Sequence, residues 1–346
     1  MEKNHDLIKV DEKSGIPLIG IDFIGIIDRG TNIIEVKPIT TCNLKCKYCF
    51  VSAGDYRTNF IIDSNYLIKK LEEIVKIKGI NDIEIHIAPY GESLLYPYLF
   101  DLIKSLRRIN GIKVISMQTN GLLLDNEKVK NLEKAGLDRI NVSLNTLDEE
   151  LAKKLSNFHD YDIEKLLKNI NLLLSSRIDL LIAPVWFPKI NDEDIEDIIK
   201  FVINIRQQGF SDKKVQIGIQ KYLTYKTGRK LKNVRPKSWD YFYSQLAKLE
   251  RKYGIKLKLG PFDFGIHKCP RAFNLVLRKG DILNVEIVSK GRYPRECIGK
   301  IDENHGIKVL LKKHLQFNQD IVGRRLRVKV IKANYKDNII TAISQD

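Results

Sequence analysis

No stretch of this sequence approaches the ~20 uncharged apolar residues that a membrane-spanning helix requires, because each Ile-rich segment is interrupted by Lys, Asp or Glu. The expectation is a chain that does not enter a membrane. The N-terminal Met1-Glu-Lys-Asn-His-Asp is polar and no long apolar core follows it, so it does not read as a cleavable leader. Cysteine is scarce, with 5 in 346 residues, an odd number of which three are clustered. That pattern argues against a disulfide framework and for a reducing cytoplasm. Acid is in deficit as well: 43 Asp and Glu stand against 59 Lys and Arg, a formal net charge of +16. A field of that sign favours polyanions and raises their encounter rate; the plainer alternative is a Lys-rich composition with no such partner.

What is present begins with length enough for a full-sized core and two domains, one large and one small. Two short β-like pieces at 16–21 and 23–27 form a preamble. From Ile33 to about residue 260, short β-branched runs alternate with stretches of helical period. The spacing predicts strands at 33–39, 83–88, 113–117, 139–144, 179–187 and 214–221. Helices are predicted near 63–78, 97–109, 126–135, 162–176, 192–208 and 237–253. Asp63 and Asp125 read as N-caps; Gly79, Gly136 and Gly209 read as helix stops. Six β–α repeats specify a parallel sheet with helices outside, curling toward a barrel whose reactive groups sit at the C-terminal strand ends. After about residue 270 the helical period disappears, and five short strands alternate with turns at Lys290-Gly291, Asn304-His-Gly306 and Lys336-Asp-Asn338. The expected fold class is α/β: a partial (β/α)6, TIM-like barrel with a small C-terminal antiparallel β-barrel of the oligonucleotide-binding type. Domains are expected at 1–32 (β extension), 33–270 (barrel) and 271–346 (small barrel).

Directly after the first barrel strand comes Cys42-Asn-Leu-Lys-Cys46-Lys-Tyr48-Cys49, three thiols within eight residues. Three thiolates at this spacing can ligate three irons of one cubane iron–sulfur cluster, whereas clusters held by protein alone use four. One iron then stays open, and an open metal position is where a small molecule binds and reacts. The alternative is a structural zinc site, whose fourth ligand would have to come from Cys269, Cys297 or one of the six His.

With Tyr48 before its last thiol, this loop resembles the signature of radical S-adenosylmethionine enzymes, and the resemblance extends over roughly residues 33–225. Gly91-Glu92-Ser93-Leu94 resembles the family's Gly-Gly-Glu motif, with Tyr90 in place of the first Gly and Ser93 where Pro is common. The resemblance implies that Gly91 and Glu92 hold the methionine amino group, a cation that needs an anionic partner; the plainer role for Glu92 is a helix N-cap. Gln118-Thr119-Asn120-Gly121 and Ser143-Leu-Asn145 resemble the strand ends lining the family's cofactor site. They imply contacts from Gln118, Asn120, Ser143 and Asn145 to ribose or carboxylate, where many members carry Asp at the position of Asn145; such residues also cap helices and make turns. The implied cofactors are a [4Fe-4S] cluster on Cys42, Cys46 and Cys49 and S-adenosylmethionine. The implied reaction is one-electron cleavage to methionine and a 5′-deoxyadenosyl radical that abstracts hydrogen, fed by an electron donor such as ferredoxin or flavodoxin.

The substrate side rests on charge. Residues 275–346 hold 15 Lys and Arg against 8 Asp and Glu, and their layout, with Gly280-Asp281 entering a strand, resembles the TRAM domain of RNA-modifying enzymes. Lys312, Lys313, Arg324, Arg325 and Arg327 are the candidate phosphate contacts. The stretch 221–237 has seven basic and no acidic residues. In it Tyr222 and Tyr225 are candidates for base stacking, and Lys226, Arg229 and Lys230 for phosphates; the alternative is a loop that covers the cofactor. Two further thiols cannot build a second four-thiol cluster, so the extra clusters of peptide-modifying or methylthio-transferring relatives are not expected. Cys269 is a candidate methyl carrier or hydrogen donor with Cys297 as partner, or both are buried structural thiols. The reading is a radical enzyme modifying a nucleoside in tRNA or rRNA. The alternatives are a radical enzyme acting on a small cofactor precursor or a protein side chain, and a non-enzymatic iron–sulfur RNA-binding module.

Overall fold

The computed structural model describes residues 6–312, 317–334 and 337–345. The chain divides into two compact units, one of Met1–Thr41, Asp55–Val114 and His267–Asp346, the other of Cys42–Gly54 and Ile115–Ile266.

The first unit opens with strands β1 (Asp6–Val10), β2 (Gly25–Asp28), β3 (Ile33–Lys37), β4 (Thr58–Ile62) and β5 (Ile83–Ile87). β1 runs parallel to β4, β2 antiparallel to β3, and β3 parallel to β5 with Ile34 opposite Ile85. Helix α1 (Ser64–Lys78) starts because Asp63 accepts from the Asn65 and Tyr66 N–H groups, and it ends at Gly79, whose φ of 73° suits glycine. Leu67, Leu71, Ile74, Val75 and Lys78 form its buried stripe, so Leu71→Ala would cost about 2–5 kcal/mol. The stripe ends on a charge that is paired: Lys78 Nζ donates to Asp28 Oδ1 at 2.9 Å and to the Pro270 carbonyl at 2.8 Å, while Asp28 Oδ2 accepts from Ala272 N. That contact anchors the segment leading to the small barrel. Helix α2 (Leu99–Leu106) follows β5, and β6 (Ile112–Thr119) crosses the division between the units.

In the second unit the chain alternates as expected: α3 (Asn126–Ala135), β7 (Arg139–Val142), α4 (Glu149–Ser156), α5 (Ile163–Leu174), β8 (Asp179–Ile182), β9 (Val185–Trp186), α6 (Asp192–Gln207), β10 (Val215–Ile217), β11 (Gln220–Lys221) and α7 (Trp239–Tyr253). β6, β7, β8 and β10 are parallel neighbours, Met117 opposite Ile140, Ile140 opposite Leu180, and Leu180 opposite Val215. This is the α/β partial barrel anticipated from the repeats. Two long strands expected at 179–187 and 214–221 are each broken in two. Pro184 lacks the N–H a central ladder needs, and its carbonyl accepts from Gln220 N as β9 and β11 form their own parallel pair. α4, capped by Asp148, is an addition to the expected elements.

The C-terminal strands β12 (Ile282–Lys290), β13 (Glu296–Lys300), β14 (Gly306–Leu310), β15 (Arg325–Asn334) and β16 (Ile339–Ser344) close a barrel in the order β12-β13-β14-β16-β15. One expectation needs correcting: the barrel is not wholly antiparallel. β16 fills the gap between β15 and β14 and therefore runs parallel to β14. The order is that of a small oligonucleotide-binding-like barrel. Alternate residues Val285, Ile287, Cys297, Ile307, Val309, Val328 and Val330 fill it. Cys297 is thus a core residue, its thiol pushed up to about 12 by burial, and it behaves as a small hydrophobe.

Candidate functional site

The cysteine loop lies in the second unit, and its shape is set by short backbone bonds. Cys49 N donates to Cys46 O at 3.1 Å, Ser52 N to Cys49 O at 3.2 Å, and Ser52 takes φ 57°. Two backbone amides already face sulfur: Leu44 N lies 3.5 Å from Cys42 Sγ and Ala53 N 3.4 Å from Cys49 Sγ. Cys46 is buried deeper. Burial and then the neighbouring Cys49 push its thiol up to about 11, against the Tyr48 hydroxyl and the Arg229 guanidinium, which pull it down. Metal binding at such a thiol must release its proton.

Three side chains from elsewhere in the unit bracket this loop. Asn120, past the end of β6, donates to Asn43 Oδ1 at 2.9 Å. Asn145, past β7, donates to the Tyr48 hydroxyl at 2.6 Å and accepts from Val185 N at 2.8 Å, and Tyr48 packs on Phe187 with centroids 4.7 Å apart. Arg229 donates through Nε to Cys46 O and through Nη2 to Ala53 O, each at 2.7 Å, while its own N–H reaches Cys49 O at 2.9 Å. The basic stretch at 221–237 is therefore strapped to the cysteine loop, and Ser52 Oγ adds a bond to Thr227 O at 3.0 Å. Of the remaining expected cofactor contacts, Gln118 Nε2 donates to Ser143 Oγ at 2.9 Å across adjacent strand ends.

Four of the expected contact residues are engaged within the chain. Arg229 is committed to the backbone of the cysteine loop instead of a phosphate. Asn145 has its side-chain oxygen and amide engaged by Val185 and Tyr48. Tyr222 is 2% exposed, packed on Phe187 with its hydroxyl accepting from Leu231 N, and offers no face to a base. Lys312 is half-buried and its Nζ donates to the Gln345 carbonyl at the barrel seam. Lys313 lies outside the described residues. Tyr225, by contrast, is exposed and packs at a tilt of 50° on exposed Phe50, the residue after Cys49, and Lys226 and Lys230 are exposed.

Gly91 and Glu92 lie in the first unit. Gly91 sits where a Cβ would come within 2.1 Å of the Thr41 carbonyl oxygen, the carbonyl of the residue directly before Cys42. Only glycine fits there. Glu92 N donates to that same carbonyl at 2.9 Å, and the buried Glu92 carboxylate uses Oε1 to accept from Leu94 N at 3.0 Å. The N-cap role and a cation-holding role are compatible, because a carboxylate has about four lone-pair sites. Cys269, in the same unit, is buried near the Lys78–Asp28 pair, and burial pushes its thiol up. On β15 the pleat places Arg325, Arg327 and Lys329 on one exposed face. Lys329 escaped the sequence reading, although the alternation Leu326-Arg-Val-Lys-Val330 carries the signal.

Parallel β–α repeats with a three-thiol loop after the first strand and a Gly-Glu turn after the next define a radical enzyme scaffold. The family model of the radical SAM superfamily matches residues 36–202. An uncharacterized protein of Methanocaldococcus jannaschii is 37% identical over 346 residues, covering 94% of this chain and 78% of that protein. The chain belongs to the radical SAM superfamily, whose cofactors are a [4Fe-4S] cluster and S-adenosylmethionine. A GTP 3′,8-cyclase of Clostridium botulinum is 33% identical over 189 residues, 51% of this chain and 56% of that enzyme. SuiB of Streptococcus suis shares the fold, with a TM-score of 0.50 at 18% identity over 72% of this chain and 51% of SuiB. The chain thus spans about half the length of both. The donor set fits the family's cluster: thiolates are soft ligands suited to iron–sulfur sites. Among the described residues no three His, Cys, Asp or Glu could hold a single metal ion; a cubane asks each thiolate for a separate iron. Among the same residues no helix is long and apolar enough to cross a membrane.

Proposed function

We propose that this chain is a radical SAM enzyme that modifies a nucleoside within tRNA or rRNA. The observation that carries the RNA reading is the closed five-stranded barrel with Arg325, Arg327 and Lys329 in one exposed row on β15. Basic rows on oligonucleotide-binding-type barrels track phosphates, and the arrangement fits the resemblance to TRAM domains. Arg324, just before β15, is exposed as well.

In this reading Cys42, Cys46 and Cys49 would hold the cluster, and Gly91 and Glu92 are the proposed partners of the methionine amino group. When bound, the two cofactors supply one-electron cleavage of the sulfonium and hydrogen abstraction from an unactivated carbon. The protein's own task is positioning. Asn120, Asn145 and Arg229 fix the cysteine loop from three sides, and Gln118 and Ser143 brace the strand ends beside it. The electron comes from a ferredoxin or flavodoxin, and the reducing cytoplasm keeps the thiols available.

A second reading has its own support, the 33% identity to a GTP 3′,8-cyclase: the substrate is then a free nucleotide or another small precursor. Nucleoside mass spectrometry of tRNA and rRNA from cells lacking the gene separates the two. One modified nucleoside should disappear; an unchanged profile moves the substrate to the small molecule.

A further inference from the structure

The two tryptophans of the chain both lie around the start of α7, where the aromatic content is in excess of what the core uses. Ser238 caps the helix by accepting from Tyr241 N at 3.1 Å, and Phe242 turns inward, 5% exposed, packed against Trp186 and Trp239. The rings around it stay out. Trp239, Tyr241 and Tyr243 are 50%, 43% and 46% exposed. Trp239 and Tyr243, four residues apart and so on one helix face, stack at 24° with centroids 5.7 Å apart. Lysines lie over the rings: Lys221 Nζ is 4.7 Å from the Trp239 centroid and Lys237 Nζ 5.2 Å from that of Tyr241.

Beside them Trp186, Pro188, Tyr241 and Phe242 line a small open cleft. Upstream, Lys226, Lys230, Lys232 and Arg235 are exposed. Two acids lie near this face: Asp192, engaged by Trp186 Nε1 and Lys189 N, and exposed Asp240 in the first turn of α7. Protein interfaces deplete lysine at an aromatic centre, whereas sites for single-stranded nucleic acid interleave cations with stacking rings.

We propose that this face is a stacking platform for unpaired bases of a single-stranded RNA segment, with Trp239 and Tyr243 as the stack and Lys221 and Lys237 as phosphate contacts. The inference rests on the RNA reading and names where part of that substrate lies. It relocates the base contacts from Tyr222, which is buried, to α7.

Because the only tryptophans are at this face, intrinsic fluorescence reports on it directly. The full-length protein is titrated with a short oligouridylate, following tryptophan emission and, in parallel, the anisotropy of the same oligonucleotide carrying a 5′ label. The expected result is saturable quenching with the same dissociation constant as the anisotropy. Tyr243→Ala, an exposed position that leaves both tryptophans, should weaken binding about 5-fold or more. Lys237→Ala should reduce the slope of log binding constant against log salt by about one. Circular dichroism melts confirm that both variants fold. Binding by anisotropy that neither quenches nor responds to Tyr243→Ala and Trp239→Ala overturns the platform and leaves the RNA reading standing. No binding by either signal overturns both. Quenching by an acidic flavodoxin but not by the oligonucleotide makes the face a protein-docking surface and refutes the proposal.

Discussion

Arg229→Ala is the perturbation that most directly probes how this chain prepares its cysteine loop. The guanidinium makes two bonds to loop carbonyls, Cys46 O and Ala53 O, both at 2.7 Å. Hydrogen bonds to a charged group contribute about 1.5–3 kcal/mol each. Because the side chain is half-buried, water can replace part of each, which lowers the pair to about 2–4 kcal/mol in total. If that energy holds the loop in its ligating shape, its loss accelerates opening by about 30- to 1000-fold. The assay is iron release from anaerobically reconstituted protein into excess chelator, followed by the loss of cluster absorbance. Arg229→Ala should release iron at least about 30-fold faster, and Arg229→Lys should fall between, since one ammonium can serve one carbonyl better than two. The melting temperature of the cluster-free variant separates a loop effect from general unfolding. Release at the wild-type rate with an unchanged melting temperature would refute the clamp.

Other outcomes follow from the same contacts. Gly91→Ala drives a methyl into the Thr41 carbonyl at 2.1 Å, and since that neighbour is backbone the strain of about 1–3 kcal/mol should appear as a lower melting temperature and weaker S-adenosylmethionine binding by dialysis; wild-type values for both would contradict it. Burial pushes the Glu35 carboxyl up, but Lys37 and Arg29 outweigh it and bring the carboxyl down to about 2. A depressed carboxyl stabilises the fold above its unfolded value near 4.5 and loses that contribution as pH falls toward 2. Urea unfolding between those limits should therefore show a steeper loss for wild type than for Glu35→Gln, on the order of 3 kcal/mol over the window, and parallel curves would count against the pairing. Replacing Arg325, Arg327 and Lys329 together by Ala should lower the salt slope of tRNA binding by about two to three; an unchanged slope removes the β15 row from the RNA contact.

Much of the scaffold was legible because its signals are local. Asp63 and Asp125 cap the helices they announced, and Gly136 closes α3 in the left-handed conformation. The thiol spacing is likewise a local signal, and it points to the cofactor family. What escaped depends on long-range contact. β1 pairs with β4 across some fifty residues, and neither strand carries a mark of its partner. The Asn120–Asn43 and Asn145–Tyr48 bonds join residues 77 and 97 apart in sequence, so neither bracket on the cysteine loop carries a local signal. Tyr222 and Tyr225, three residues apart, have opposite fates, one in the core and one at the surface, because β11 ends between the core and the strap. α4 is the exception, since Asp148-Glu-Glu-Leu is a local N-cap signal.

The central claim, that Cys42, Cys46 and Cys49 hold a cluster that drives cleavage of S-adenosylmethionine, is tested by anaerobic reconstitution followed by reduction in the presence of the cofactor. The wild-type chain should bind about four irons and yield 5′-deoxyadenosine on reduction, and Cys46→Ala should do neither. A protein that purifies with one tight zinc, takes up no iron and yields no 5′-deoxyadenosine would contradict the account at its foundation.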